Sequence, residues 1–186
     1  MPTNRRLADF DGPDFYPTPA WATRALLEYE SFPGKLIEPF AGEHDMADVL
    51  SAKGYWPVCS DIIDYGYGDL ICDFRAITDP VDCAISNPPY KLAEDAVDHL
   101  MKICTRKFAL LLKLGFLTSG RRYKKYYEKK MLARVYIFTE RLSMYPKGMK
   151  EDRNEGTIAY GWFIWDRYRT NIEPELLFIK PGFKDD

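Results

Sequence analysis

Residues 35–54 read KLIEPFAGEHDMADVLSAKG, and this stretch decides the fold class. Residues 35–40 form a short apolar run that reads as a buried strand. Residues 45–53 carry Met46, Val49 and Leu50 on one side at helical spacing, and Gly54 closes them. The turn between, Ala41-Gly42-Glu43-His44, is small and tight at its start. A strand, a glycine turn and a helix N-terminus present unpaired backbone N–H groups to a charged ligand group. The same spacing also suits a plain tight turn, so the reading rests on the rest of the chain.

The rest of the chain repeats the alternation. Strands are expected at 56–62, 70–74, 82–86, 107–114, 134–139 and 157–166, with a further edge strand at 176–179. Helices are expected at 92–104 and 121–132. Another follows Thr18-Pro19, with Thr18 as N-cap and Pro19 in the first turn, and Pro33-Gly34 ends it. Strands alternating with helices imply a mostly parallel sheet covered on both faces. No helix separates the last two main strands, so they are expected as an antiparallel C-terminal hairpin. No repeat or linker divides the chain. It reads as a single α/β domain over 1–186, with an N-terminal helical segment at 16–34 and halves at 35–114 and 115–166.

Composition sets the outer limits. The 186 residues are 46% hydrophobic and 29% charged, which excludes a disordered chain. A net charge of −2 means that any polyanion site must come from local clustering. Cys59, Cys72, Cys83 and Cys104 form no CxxC pair, and beside only His44 and His99 they offer no metal-ligand spacing. No metal is expected, and the thiols read as reduced. The longest apolar run, 108–117, is broken by Lys113 and is too short to span a bilayer. The N-terminus lacks the apolar stretch of a signal peptide. A cytoplasmic protein without a membrane partner is expected.

In an open α/β sheet, ligands bind beyond the carboxyl ends of the strands. Glu38-Pro39-Phe40-Ala41-Gly42 stands at the end of the first, before His44 and Met46. Asp61, at the end of the second, is placed to accept hydrogen bonds from ribose hydroxyls, and Asp73-Phe74 at the end of the third suits an adenine ring. The fourth strand ends in Asn87-Pro88-Pro89-Tyr90. Two consecutive prolines remove two backbone donors and stiffen the turn. It presents the Asn87 amide oxygen and the Pro88 carbonyl as acceptors beside the flat Tyr90 ring, which suits a planar group with an exocyclic amine.

With these residues the chain resembles the S-adenosylmethionine-dependent amino-methyltransferases, especially the adenine-specific (N6) DNA methyltransferases of small Dam-like, phage-type form with gamma-like motif order. The resemblance covers roughly residues 15–166. It implies a Rossmann-like class I fold with a seven-stranded sheet, and S-adenosylmethionine as cofactor. It implies cofactor contacts at Tyr16, Thr18, Pro19, Glu38, Pro39, Phe40, Ala41, Gly42, His44, Met46, Asp61, Ile62, Asp73 and Phe74. Asn87, Pro88, Pro89 and Tyr90 correspond to the catalytic tetrad. The implied reaction is methyl transfer to the amino nitrogen of an adenine flipped out of the duplex. One departure stands out: His44 occupies the place of the family's second loop glycine, which predicts an altered loop or weaker cofactor binding.

The nucleic-acid partner, DNA first, requires a positive surface. Arg121, Arg122, Lys124 and Lys125 form one candidate, and Lys147, Lys150 and Arg153 another. The first reads equally well as a solvated amphipathic helix with Tyr123, Tyr126 and Tyr127 turned inward. The second reads equally well as a hairpin loop. Two alternatives stay open: RNA adenine or protein glutamine as acceptor, and an inactive relative that binds nucleic acid or cofactor.

Overall fold

The computed structural model describes residues 16–129, 131–144, 158–169 and 173–184. Its strands are β1 (Leu36–Glu38), β2 (Val58–Asp61), β3 (Leu70–Ile71), β4 (Val81–Ser86), β5 (Cys104–Lys113), β6 (Arg134–Phe138), β7 (Tyr160–Asp166) and β8 (Glu175–Ile179). The helices are α1 (Ala20–Leu27), α2 (Asp45–Ala52) and α3 (Ala93–Ile103). All strands join one sheet in the order β3-β2-β1-β4-β5-β7-β6-β8.

Among the described residues the sheet has eight strands: the seven implied by the resemblance and the edge strand expected at 176–179. The additional edge strand is β8, parallel to β6. The antiparallel pair β6–β7 is present, and β7 lies between β6 and β5, antiparallel to both. The remaining pairs, from β3 to β5, are parallel.

Period-two alternation in β5 and β7 divides the core. Phe108, Leu110 and Leu112 face one side with Phe163 and Trp165, where α3 supplies Ala96, Val97 and Leu100. Ala109 and Leu111 face the other side with Trp162 and Ile164, against Leu26 of α1 and Met46 and Leu50 of α2. The Trp165 ring stacks on Phe108 at 4.9 Å between centroids. The Trp162 indole N–H donates to the Ala22 carbonyl at 2.9 Å, so its one polar atom is satisfied in the core.

Several boundaries differ from expectation for local reasons. The strand expected at 35–40 stops at Glu38, because Pro39 cannot donate to a ladder. The helix expected at 121–132 is a short turn at Gly120–Arg122 followed by a π-helical segment at Tyr123–Tyr127. There Tyr126 is buried and Tyr123 is exposed, so the three tyrosines do not share an inward face. Thr18 does not cap α1: Pro19 holds the cap position and makes no side-chain cap bond. The Thr18 hydroxyl is instead engaged by Asn87.

At the amino end of the sheet a buried ion network ties α1 to it. Glu30 accepts from Lys107 Nζ at 2.6 Å, Arg134 Nε at 2.7 Å and the Tyr136 hydroxyl at 2.9 Å. Arg134 also donates to Asp166 at 2.8 Å. Chemistry at the carboxyl end is thus kept apart from this anchor. Among the described residues, no helix is long and apolar enough to cross a membrane, and no His, Cys, Asp and Glu cluster could hold a metal ion.

Candidate active site

A cavity of about 360 Å3 opens at the carboxyl ends of β1, β2 and β4. This volume lies in the range of small-molecule sites. The cavity gathers Tyr16 and Thr18, Glu38 to Ala41, Met46, Asp61, Ile62, Asp73, Phe74, Asn87 and Pro89 from among the predicted residues. Asp45, Ile63, Tyr65, Lys91 and Leu92 line it as well, and sequence reading missed them. The available signal for Ile63 and Tyr65 was the aromatic, glycine-containing loop directly after Asp61. Pro19, Gly42, His44, Pro88 and Tyr90 do not line it.

The floor of the cavity is acidic. Glu38 is 2% exposed, and its Oε2 has no hydrogen-bond partner among the described residues. Burial raises its pKa well above the usual carboxylate range, and the nearby charges of Asp45, Asp61 and Asp48 push in the same direction. An orphaned buried acceptor beside a cavity is suited to a ligand that brings hydrogen-bond donors or positive charge.

The glycine loop is held by Asp61. One carboxylate oxygen accepts the Gly42 N–H at 3.0 Å and the other accepts the Ile63 N–H at 3.0 Å. Asp61 therefore already organises the backbone on both sides of the cavity mouth, in addition to any role toward a ribose. Gly42 and His44 both have left-handed backbones, with φ of 52° and 71°. Histidine thus adopts the conformation for which a glycine is usual, at a cost of roughly 1–2 kcal/mol. Its ring contacts Tyr67 at 5.7 Å.

Asp73 and Phe74 are also more committed than expected. Asp73 caps the turn that follows it by accepting the Arg75 N–H at 2.8 Å, and it pairs with the Arg75 guanidinium at 2.9 Å. Phe74 packs on Phe40 at 4.7 Å, forming an aromatic wall.

Asn87 is oriented by the N-terminal segment. Its Nδ2 donates to Thr18 Oγ1 at 3.0 Å and to the Tyr16 carbonyl at 3.4 Å, and lies 3.6 Å from Met144 Sδ. The Tyr16 carbonyl can only accept, so it is this contact that turns the N–H side of the amide toward the segment and Oδ1 the other way, while the Thr18 hydroxyl accepts the second N–H contact. Tyr90 is not the open plate expected from sequence. Its hydroxyl donates to the Tyr160 hydroxyl at 2.8 Å, Lys113 Nζ lies 3.6 Å from its ring centroid, and Tyr16 approaches at 5.8 Å.

Tyr90 lines a second cavity of about 250 Å3 with Arg121, Arg122 and Lys125, and Lys91 borders both cavities. These basic groups are largely paired within the chain. Arg121 and Arg122 share Glu94 Oε1 at 2.6 and 3.1 Å, and Lys125 pairs with Asp98. The free positive patch expected here is thus partly neutralised by α3. Lys124 is exposed, with no ion pair to another described residue. Lys147, Lys150 and Arg153 lie outside the described residues.

No protein-family model matches the sequence, and no curated protein matches it. Solved structures do. A chain described as the modification subunit of a type I restriction enzyme from Vibrio vulnificus superposes with a TM-score of 0.61 at 13% identity, over 94% of this chain and 49% of that one. This chain therefore spans about half the length of that subunit. A protein from Pyrococcus horikoshii described as an RNA methyltransferase gives a TM-score of 0.56 at 12% identity, covering 79% of this chain and 80% of that one. A class I S-adenosylmethionine-dependent methyltransferase structure from Listeria monocytogenes gives 0.54 at 14% identity, covering 86% and 61%. The fold is the Rossmann-like methyltransferase fold. In this methyltransferase fold the cavity occupies the crevice beyond the carboxyl ends of the parallel strands, where ligands of open α/β sheets bind.

Proposed function

We propose that this chain is an S-adenosylmethionine-dependent methyltransferase that modifies the exocyclic amino group of adenine in DNA. The observation that carries the reading is the meeting, in one cavity, of the buried Glu38, whose Oε2 has no hydrogen-bond partner among the described residues, with the oriented Asn87 amide. The cavity's donor set fits the cofactor. Glu38 would offer a buried acceptor to its ammonium end, Asp61 would accept from the ribose hydroxyls, and Phe40 and Phe74 would make an apolar wall for the adenine. When bound, S-adenosylmethionine supplies an electrophilic methyl group carried on a sulfonium.

The chain's own residues prepare the acceptor. The lone pair of an adenine amino nitrogen is delocalised into the ring. Asn87 Oδ1, on the cavity wall, would accept one of its hydrogens, and the resemblance assigns the other to the Pro88 carbonyl, so that the lone pair is drawn back onto nitrogen. Positioning and local electrostatics then supply the rate enhancement. The acceptor base must leave its helical stack to reach this turn.

The test is transfer of a tritiated methyl group from the cofactor to unmethylated DNA, RNA or protein. Counts in DNA that vanish with Asn87→Ala support the reading. Counts in RNA or protein alone overturn the DNA assignment, and absence of cofactor binding by calorimetry overturns the enzyme reading as a whole.

A further inference from the structure

We propose that Thr18 is a positioning residue for the reaction, acting through Asn87. This rests on the reading of the cavity as an amino-methyltransferase site. Thr18 is 7% exposed, and it accepts a hydrogen bond from Asn87 Nδ2 at 3.0 Å. It lies between two prolines, Pro17 and Pro19, which fix their own φ angles, and a residue that precedes proline is held extended. Pro19 sits at φ −55° and ψ 128°, directly before α1. The hydroxyl is therefore mounted on a stiff rail anchored to a helix whose inner face is fully buried.

The consequence concerns the amide rather than the threonine. An asparagine side chain turns about a soft terminal torsion with two nearly isosteric ends. If its two ends exchanged, an N–H group would meet the acceptor's amino hydrogens and Oδ1 would face the Tyr16 carbonyl. The Thr18 hydroxyl and the Tyr16 carbonyl together take the N–H side and leave Oδ1 for the acceptor. The tetrad alone does not encode that choice; the segment some seventy residues upstream makes it. The acceptor-only Tyr16 carbonyl thus sets which end of Asn87 meets the substrate, and the shorter bond to Thr18 fixes where that amide stands.

The test compares Thr18→Val, which keeps the shape and removes the hydroxyl, with Thr18→Ser, which restores it. Single-turnover methyl transfer at saturating cofactor is expected to fall roughly 10- to 100-fold in the valine variant, a loss typical of misplaced reacting groups. It is expected to return to within about threefold in the serine variant, with calorimetric titration of each variant fixing the cofactor concentration that saturates it. The Asn87 side-chain NH2 signals, assigned by their loss in Asn87→Ala, are expected to shift and exchange faster in Thr18→Val and to recover in Thr18→Ser. An unchanged rate in Thr18→Val overturns the proposal, and so does a loss fully explained by weaker cofactor binding. If the wild-type chain methylates no acceptor, the functional reading fails and this role with it. The NH2 signals then still report whether the Thr18–Asn87 bond exists. Unperturbed signals in Thr18→Val would refute the orienting bond independently of activity.

Discussion

The ammonium of Lys113 lies 3.6 Å from the centre of the Tyr90 ring, so one face of that ring is already occupied. A stacked base therefore has the opposite face or must displace the lysine. Either way the aromatic surface matters more than the hydroxyl, which is spent on Tyr160. Tyr90→Phe is expected to keep acceptor affinity within about threefold. Tyr90→Ala is expected to weaken it by about 5- to 150-fold, the value of one stacked base. Competition binding with unmethylated DNA checks both. Equal affinity for the two variants would remove Tyr90 from the substrate path.

Glu94 restrains two arginines at once. Glu94→Gln keeps its size and removes its charge, which releases the exposed Arg121 to phosphates, while Arg122 stays held by the Phe116 and Gly115 carbonyls. DNA binding is expected to tighten, and the slope of log affinity against log salt is expected to steepen by about one. A salt titration of both proteins reads this directly. An unchanged slope would place the DNA path elsewhere.

Glu38 gives the fold a pH dependence of known sign. Its folded-state pKa is raised, chiefly by burial, so the folded chain holds a proton that the unfolded chain has released. Stability is therefore full below the ordinary carboxylate range and declines as pH rises from there toward the folded-state value. Glu38→Gln is expected to raise the melting temperature by a few degrees at neutral pH and to flatten this decline, while weakening cofactor binding. Thermal melts from pH 4 to pH 9 without cofactor check it. Equal pH profiles for both proteins would count against it.

His44 in the left-handed region carries a conformational cost that glycine does not. His44→Gly is expected to raise stability by about 0.5–1 kcal/mol in chemical denaturation, net of the lost Tyr67 contact. Lower stability would mean that the imidazole contributes more than its backbone costs.

Glu30 accepts from both Lys107 and Arg134. Glu30→Ala would take this carboxylate from the partly buried Lys107 and leave Arg134 with Asp166. A loss of about 3–5 kcal/mol is expected in denaturant unfolding. A loss below about 1 kcal/mol would show that water replaces the carboxylate.

Much of this was legible in the sequence, for reasons that differ from residue to residue. The alternation around residues 35–54 and 82–114 announced the parallel half of the sheet, because hydrophobic runs report burial directly. Asn87 stood out through the two prolines that follow it at a strand end, and Glu38 only through its strand–glycine turn–helix setting and the resemblance. The occupied face of Tyr90 was not legible, since Lys113 and Tyr90 lie on different strand ends and no local pattern links them. Nor was the pairing of Arg121 and Arg122 with Glu94. A basic run reads as positive in sequence, and only the packing of α3 beneath it brings the acids within reach. The π-helical segment escaped because its tyrosines fit a regular helix as well as they fit the wider turn.

The placement of β7 has a consequence for how the chain is made. β5 is flanked by β4 on one side and by β7 on the other, and β7 is encoded some fifty residues later. As the polypeptide leaves the ribosome, Phe108 to Leu112 therefore wait with one hydrogen-bonding flank bare until residues 160–166 arrive. The apolar stretch Phe108 to Leu112 is thus completed only after some fifty further residues have been made, and during that interval the nascent chain is most exposed to pairing with the wrong partner.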